Sequence, residues 1–262
     1  MTRPSGQPQY PPGHGLLAGK VVVITAAAGA GIGYATAKRC AEEGAEVVIS
    51  DSHERRLFEA AERLAPLSRS QPLALPCDVT REDQVQALFS AAVARHGRID
   101  VAVNNAGLGG SAALTEMTDE EWSRVLDVTL TGTMRCTRAA LRQMIPRGAG
   151  VIVNNASMLG WRAQRGQAHY SAAKAGVMAL TRCAAAEAAP TGVRVNAVSP
   201  SLAVNPFLSK VMDEQTLAEL AAREAFGHGA EPWQVATVIV FLASDYSSYM
   251  TGEIVSVSSQ HP

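Results

Sequence analysis

The sequence predicts an α/β fold: a single doubly wound domain whose seven-stranded parallel sheet carries helices on both faces. Two patterns predict it. Short β-branched runs alternate with longer helical stretches between residues 21 and 257. The runs are continuously apolar, as strands covered on both faces must be. A third observation, a turn of small residues between the first run and the first helix, builds a ligand site into the pattern.

Residues 1–18 are expected to form a disordered arm, because they are rich in Pro, Gly and Gln as far as Gly15. They lack the apolar stretch of a signal peptide. The domain then spans 19–262. Val21-Val22-Val23-Ile24 is the first strand, followed by a helix over 32–43; Val47-Val48-Ile49 is the second, ending at Asp51. A helix over 54–65 leads to a proline-flanked strand from Leu73 towards Cys77 and Asp78. Thr80 is placed to cap a helix over 81–96, and Ile99 to Val103 form strand four. Thr118 and Glu121 have capping-box spacing and open a long helix to about Met144.

Val151-Ile152-Val153 is strand five, an Ala-rich helix over 167–188 stops before Pro190, and Val193 to Val198 form strand six. Residues 201–230 break the rhythm, with Pro206, Gly227, Gly229 and a short amphipathic piece near 211–225. They are expected to form a substrate lid. A helix from Pro232 to Ala243 and a strand from Glu253 to Val257 close the chain. Short loops between these elements leave one doubly wound sheet and no second domain.

Composition narrows the function classes. The 262 residues are 47% apolar but only 5% aromatic, so small aliphatic side chains do the packing. With 23 basic and 24 acidic residues interspersed, no electrostatic footprint for nucleic acid exists. No apolar run reaches membrane-spanning length. Cys40, Cys77, Cys136 and Cys183 lie far apart, without metal-ligand spacing. They read as reduced thiols of a cytoplasmic protein.

Strand one runs into Thr25-Ala26-Ala27-Ala28-Gly29-Ala30-Gly31-Ile32-Gly33. Small residues there let the backbone approach a pyrophosphate seated on a helix N-terminus, where free N–H groups and the dipole favour negative charge. Asp51 ends strand two, 18 residues after Gly33. A carboxylate there accepts from both adenosine ribose hydroxyls and repels a 2′-phosphate, which favours NAD over NADP. Arg55 and Arg56 follow closely and keep that choice open.

Tyr170 and Lys174 stand four apart on one helix and so share a face. A phenol with its ordinary pKa of about 10 is a poor proton carrier near neutrality, and a fixed ammonium beside it favours phenolate.

These motifs together resemble the short-chain dehydrogenase/reductase family. The small-residue turn is similar to its Thr-Gly-x-x-x-Gly-x-Gly. Asp78-Val79 resembles its adenine-contacting pair, Asn104-Asn105-Ala106-Gly107 its Asn-Asn-Ala-Gly, and Tyr170 to Lys174 its Tyr-x-x-x-Lys. Ser157 stands at the end of strand five, 13 residues before the tyrosine, as in that family.

The resemblance implies a Rossmann-like fold and hydride transfer between NAD(H) and a secondary alcohol or ketone. Ser157 would orient the substrate oxygen, Tyr170 carry the proton, and Lys174 lower the phenol's pKa and hold the nicotinamide ribose. It implies cofactor contacts at Ala28, Gly31, Ile32, Asp51, Asp78, Val79, Asn105, Ala106, Gly107, Tyr170, Lys174, Pro200 and Ala203, with no metal. Departures are Ala26 for the first glycine, a turn one residue longer, and Thr129 where a water-holding asparagine is usual. Pro200-Ser201 stands in place of Pro-Gly, Asn205 in place of a nicotinamide-contacting threonine, and Ser258-Ser259 at the end of the last strand.

Leu159, Trp161, Leu202, Phe207 and Leu208 are candidate pocket residues, and Arg162 and Arg165 candidate partners of an anionic tail such as coenzyme A phosphates. Thr25 to Gly29, Asn154 to Gln164 and Tyr249 to Gln260 resemble an actinobacterial subgroup linked to breakdown of the steroid C and D rings. That resemblance implies a hydroxylated bicyclic acyl-CoA as substrate. An NADPH-dependent 3-oxoacyl thioester reductase and a non-catalytic nucleotide-binding regulator are the alternatives. The family resemblance also implies a homotetramer. The long helix to Met144 and the Ala-rich helix show apolar residues on more than one face. This offers Thr137, Ala140, Leu141 and Met144, and separately Val177, Leu180 and Ala184, as two-fold contacts, with Tyr246, Tyr249 and Met250 at the sheet edge as another.

Overall fold

The computed structural model describes residues 9–204 and 214–259. Seven strands, β1 (Val21–Ile24), β2 (Glu46–Asp51), β3 (Leu73–Pro76), β4 (Val101–Asn104), β5 (Gly150–Asn155), β6 (Val193–Pro200) and β7 (Ile254–Val257), form one all-parallel sheet. Their order is β3-β2-β1-β4-β5-β6-β7. The chain winds outward one way from β1 and the other way from β4, so the crossovers diverge at that junction. A crevice therefore opens beyond the carboxyl ends of β1 and β4.

Helices cover both faces because the strands offer apolar side chains to both. On one face α1 (Ile32–Glu42), α2 (Glu54–Leu64) and α8 (Pro232–Ala243) pack Ala37, Cys40, Leu57 and Ile239 against Val22, Ile24 and Val47. On the other, α3 (Glu82–His96), α5 (Gly132–Met144) and α6 (Ala168–Ala188) pack Leu88, Phe89, Ala140 and Ala185 against Val21, Val23 and Ile152. The predicted long helix is α4 (Asp119–Leu126), opened by the Thr118–Glu121 capping box, which passes through a π-turn at Asp127–Thr131 into α5. A short helix, α7 (Glu214–Ala222), lies in the predicted lid.

Two expectations are corrected. Thr80 does not cap α3: the N-cap is Arg81 without a side-chain bond, and the Thr80 hydroxyl donates instead to Asp78 Oδ1 at 2.8 Å. Asp78 also accepts from the Thr80 N–H, which makes a local Asx turn that outcompetes the cap.

The second concerns the arm expected over 1–18, which from Tyr10 onward is laid against α1. Leu17 is wholly buried, and Glu43 accepts from the His14 and Leu16 N–H groups at 2.9 and 3.0 Å. Arg39 bridges Pro11 O and the buried Glu43 carboxylate at 2.9 and 2.6 Å, and Tyr10 packs edge-on to Trp233. Proline and glycine content signals the absence of regular structure there. It does not signal the absence of packing.

Candidate active site

The turn after β1 is shaped by what its residues lack. A Cβ on Gly33 would stand 2.2 Å from Ala26 O and 2.5 Å from Asn105 Nδ2, so only glycine lets α1 start this close to the turn. Gly31 is the N-cap of α1 and makes no side-chain cap, and a Cβ there would meet nothing within 4 Å. The space beside the N-terminus of α1 is therefore open at Gly31, and a helix N-terminus with free N–H groups suits an anionic pyrophosphate. Ala26, where a glycine is usual, takes φ 51°, the left-handed conformation that glycine adopts without penalty.

Asp51 leaves the end of β2 and binds the same turn, accepting from Ala28 N at 3.2 Å and from His53 N at 2.9 Å. Arg63 also reaches the turn, donating to Gly29 O at 3.1 Å. Asp78 is engaged by Thr80, its N–H donates to Gln84 Oε1, and the Val79 side chain faces the core against Gly132. Among the pair expected near adenine, the valine side chain is thus spent on packing.

Beyond β4, Thr25 Oγ1 accepts from both Asn105 N (3.0 Å) and Ala106 N (3.2 Å), which locks this loop to the turn after β1. Thr129 is fully buried in the π-turn. Its hydroxyl accepts from Leu108 N at 3.0 Å and donates to Leu108 O at 3.1 Å. Its carbonyl accepts from Thr133 Oγ1 at 2.8 Å. Thr129 is therefore a clamp on the loop carrying Gly107, at which a Cβ would lie 3.4 Å from Lys174 Nζ. Gln167 Nε2 donates to Gly110 O at 2.6 Å, and His169 Nδ1 accepts from the Tyr170 N–H at 2.9 Å. The loop after β4 and the start of α6 thereby fix each other.

Ser157, Tyr170 and Lys174 converge at the carboxyl edge of β5. Ser157 hydrogen-bonds the Tyr170 side chain, and Lys174, 2% exposed, donates to Asn155 O at 2.5 Å. Its Nζ lies 5.5 Å from the centre of the Tyr170 ring. Burial raises the pKa of the Tyr170 phenol, and the hydrogen bond from Ser157 opposes that only in part. Burial lowers the Lys174 ammonium to about 8. The direction is thus opposite to the expected drop in the Tyr170 pKa, because desolvation of the phenolate outweighs the Ser157 hydrogen bond.

Pro200 ends β6, and Ala203 forms a parallel bridge with Ala230. The buried Glu224 accepts from Ser201 Oγ, Leu202 N and Ser259 Oγ, tying the segment after α7 to the ends of β6 and β7. Trp161 is exposed, Leu159 and Leu202 are half-buried, and Asn205, Pro206, Phe207 and Leu208 lie outside the described residues. Sequence reasoning missed the positioning done by Thr25, Asn155, Gln167 and His169. The available signal for Asn155 was an amide at the end of an otherwise apolar strand.

Of the residues expected at two-fold contacts, those on α5 and α6 divide between the interior and one surface groove. Ala140, Met144 and Val177 are buried within the chain itself, because those faces of α5 and α6 point inward, while Thr137 and Ala184 are buried side chains at the floor of the groove. Leu141 and Leu180 line that groove, of about 550 Å³, together with Thr137, Ala184, Met134 and Ile145. Tyr246 and Tyr249 are exposed, and Met250 is half-buried against the core. Among the described residues no metal-binding cluster occurs, and no helix is long and apolar enough to cross a membrane.

A Rossmann-like sheet with this turn and a Ser–Tyr–Lys constellation at its edge defines the class, and the comparisons agree. The chain belongs to the short-chain dehydrogenase/reductase family and is an oxidoreductase acting on hydroxyl groups. A family model described as enoyl-(acyl carrier protein) reductase matches residues 26–259. The chain is 64% identical, over 95% of its length and 96% of the relative's, to a protein of Mycobacterium tuberculosis named (5R,7aS)-5-hydroxy-7a-methyl-1-oxo-2,3,5,6,7,7a-hexahydro-1H-indene-carboxyl-CoA reductase. It is 44% identical to cis-4-hydroxycyclohexanecarboxylate dehydrogenase of Sinomonas cyclohexanicum, covering 91% of this chain and 94% of that one. The crystal structure of a short chain dehydrogenase from Mycobacterium smegmatis is similar with TM-score 0.87 and 59% identity, covering 98% of this chain and 99% of that one.

Proposed function

We propose that this chain is a cytoplasmic, NAD(H)-dependent enzyme that interconverts a secondary alcohol and a ketone on a bicyclic acyl-CoA derived from the steroid C and D rings. The observation that carries the reading is the convergence of Ser157, Tyr170 and Lys174 at the sheet edge beside a turn that suits a dinucleotide. When bound, the nicotinamide supplies or takes up the hydride. Ser157 Oγ donates to the substrate oxygen and holds it beside the Tyr170 hydroxyl. In reduction the Tyr170 O–H gives its proton to the oxygen as negative charge develops there; in oxidation the phenolate takes that proton. Below about pH 8 Lys174 carries the positive charge that stabilises phenolate when the proton leaves.

Cofactor choice rests on Asp51, whose carboxylate faces the turn and disfavours a 2′-phosphate. The substrate rests on the 64% identity to a reductase of a hydroxylated oxo-hexahydroindene carboxyl-CoA. The assembly is a homotetramer, supported by the apolar groove between α5 and α6 and by the exposed Tyr246 and Tyr249.

One assay tests the reading: turnover of the hydroxy-indene carboxyl-CoA and of simple 3-hydroxyacyl-CoAs, with NAD+ and NADP+, by wild type and Tyr170→Phe. The expected result is NAD+-dependent oxidation of the bicyclic substrate, reduced at least a hundredfold by Tyr170→Phe. Preference for NADP+ with 3-hydroxyacyl-CoAs would instead establish the 3-oxoacyl thioester reductase.

A further inference from the structure

β5 reads Val-Ile-Val and then turns polar at Asn154 and Asn155, although a strand buried on both faces favours branched aliphatics to its end. Asn154 has an evident structural use. Its Oδ1 accepts from Asn104 at 2.8 Å and its Nδ2 donates to Thr181 Oγ1 at 2.9 Å, stitching β4, β5 and α6 together. Asn155 is different.

Its backbone oxygen takes the Lys174 ammonium at 2.5 Å, while its Nδ2 donates to Asn105 Oδ1 at 2.9 Å. Asn105 in turn donates from Nδ2 to Thr25 O at 3.2 Å and Ala26 O at 3.1 Å. Those two carbonyls fix which way the Asn105 amide faces, so its oxygen must meet the Asn155 NH2. Asn155 Oδ1 then points away, buried and without a hydrogen-bond partner. An amide left half-satisfied where an aliphatic side chain would pack fully is a local conflict of the kind that collects at functional sites.

We propose that Asn155 is a positioning residue that couples the dinucleotide turn to Lys174, through the chain Ala26–Asn105–Asn155–Lys174. A shift of the turn on cofactor binding is passed through the Asn105 and Asn155 amides to the carbonyl that aims the ammonium. The inference rests on the reading of Lys174 as a dinucleotide-binding residue, so its test separates the two. NADH affinity is measured by nicotinamide fluorescence, without substrate, for wild type, Asn155→Val, Lys174→Met and the double variant, with Tm recorded for each. Thr181→Val, on the same helix as Lys174, removes the bond from Asn154 and is the structural control.

Asn155→Val is expected to weaken NADH at least fivefold in wild type but less than twofold in the Lys174→Met background. Thr181→Val should lower Tm and leave NADH affinity within twofold. Equal losses in both backgrounds, or no loss in wild type, overturn the coupling. If Lys174→Met alone leaves NADH affinity unchanged, the role of Lys174 falls and the coupling with it. Should Asn155→Val not fold, Asn155→Ser, too short to reach Asn105, carries the same expectations.

Discussion

Gly31 and Gly33 stand two residues apart at the start of α1, and only Gly33 leaves no room for a side chain. Gly33 is pressed against Ala26 O, whereas Gly31 faces open space. Gly33→Ala is expected to disrupt the fold locally, because backbone must move to admit the Cβ. Gly31 has φ −87°, which alanine adopts freely, so Gly31→Ala should leave Tm within about 2 °C, less than 1 kcal/mol for a domain of this size. Its Cβ would nevertheless enter the space proposed for the pyrophosphate. NADH affinity should fall at least tenfold. A Gly31→Ala protein that binds NADH like wild type would move the phosphate site elsewhere.

Ala26 makes the opposite prediction. Holding alanine at φ 51° costs about 1 kcal/mol that glycine avoids. Ala26→Gly should therefore raise Tm by about 2–4 °C in calorimetry, with turnover unchanged within threefold. An unchanged or lower Tm would mean that the gain in unfolded-chain entropy from glycine cancels the relief.

What was legible in the sequence follows from which forces are local. Val21 to Ile24 and Val151 to Val153 read as strands because both faces are apolar, and the Thr118 capping box is satisfied within four residues. The small-residue turn and the Tyr170–Lys174 spacing were readable for the same reason. Thr80 failed because a second local partner, Asp78, competed for its hydroxyl. The arm over Leu17 failed because its contacts, with Glu43 and α1, are more than twenty residues distant in sequence. Helical periodicity showed apolar faces on α5 and α6, but which faces the sheet covers depends on topology. The Tyr170 pKa direction depends on burial, which residue spacing does not encode.

Thr129 tests how the loop after β4 is held. Thr129→Val keeps the shape and removes both bonds to Leu108, leaving its N–H and C=O without that partner. The cost is about 1–3 kcal/mol, expected as a Tm loss of about 2–12 °C at ~2–4 °C per kcal/mol. Because that loop carries Gly107 beside Lys174, KM for the dinucleotide should rise several-fold while kcat stays within tenfold. A collapse of kcat with KM unchanged would instead make the Thr129 hydroxyl part of the proton path.

Lys174 is the strongest case of stability given up at the site. Its ammonium is buried and its pKa falls from the ordinary 10.5 to about 8. Below pH 8 the lysine is charged in both folded and unfolded chains, and the folded chain bears the full desolvation penalty, at most about 3 kcal/mol. Between pH 8 and 10.5 the folded chain sheds its proton first, so the unfolded chain binds more protons and stability rises with pH. Lys174→Met, of similar length and uncharged, should therefore be more stable than wild type at pH 7 by about 1–3 kcal/mol in urea unfolding. That advantage should shrink steadily towards pH 10.5. Lower stability of Lys174→Met at pH 7, or an advantage independent of pH, would show that the Asn155 carbonyl already compensates the buried charge.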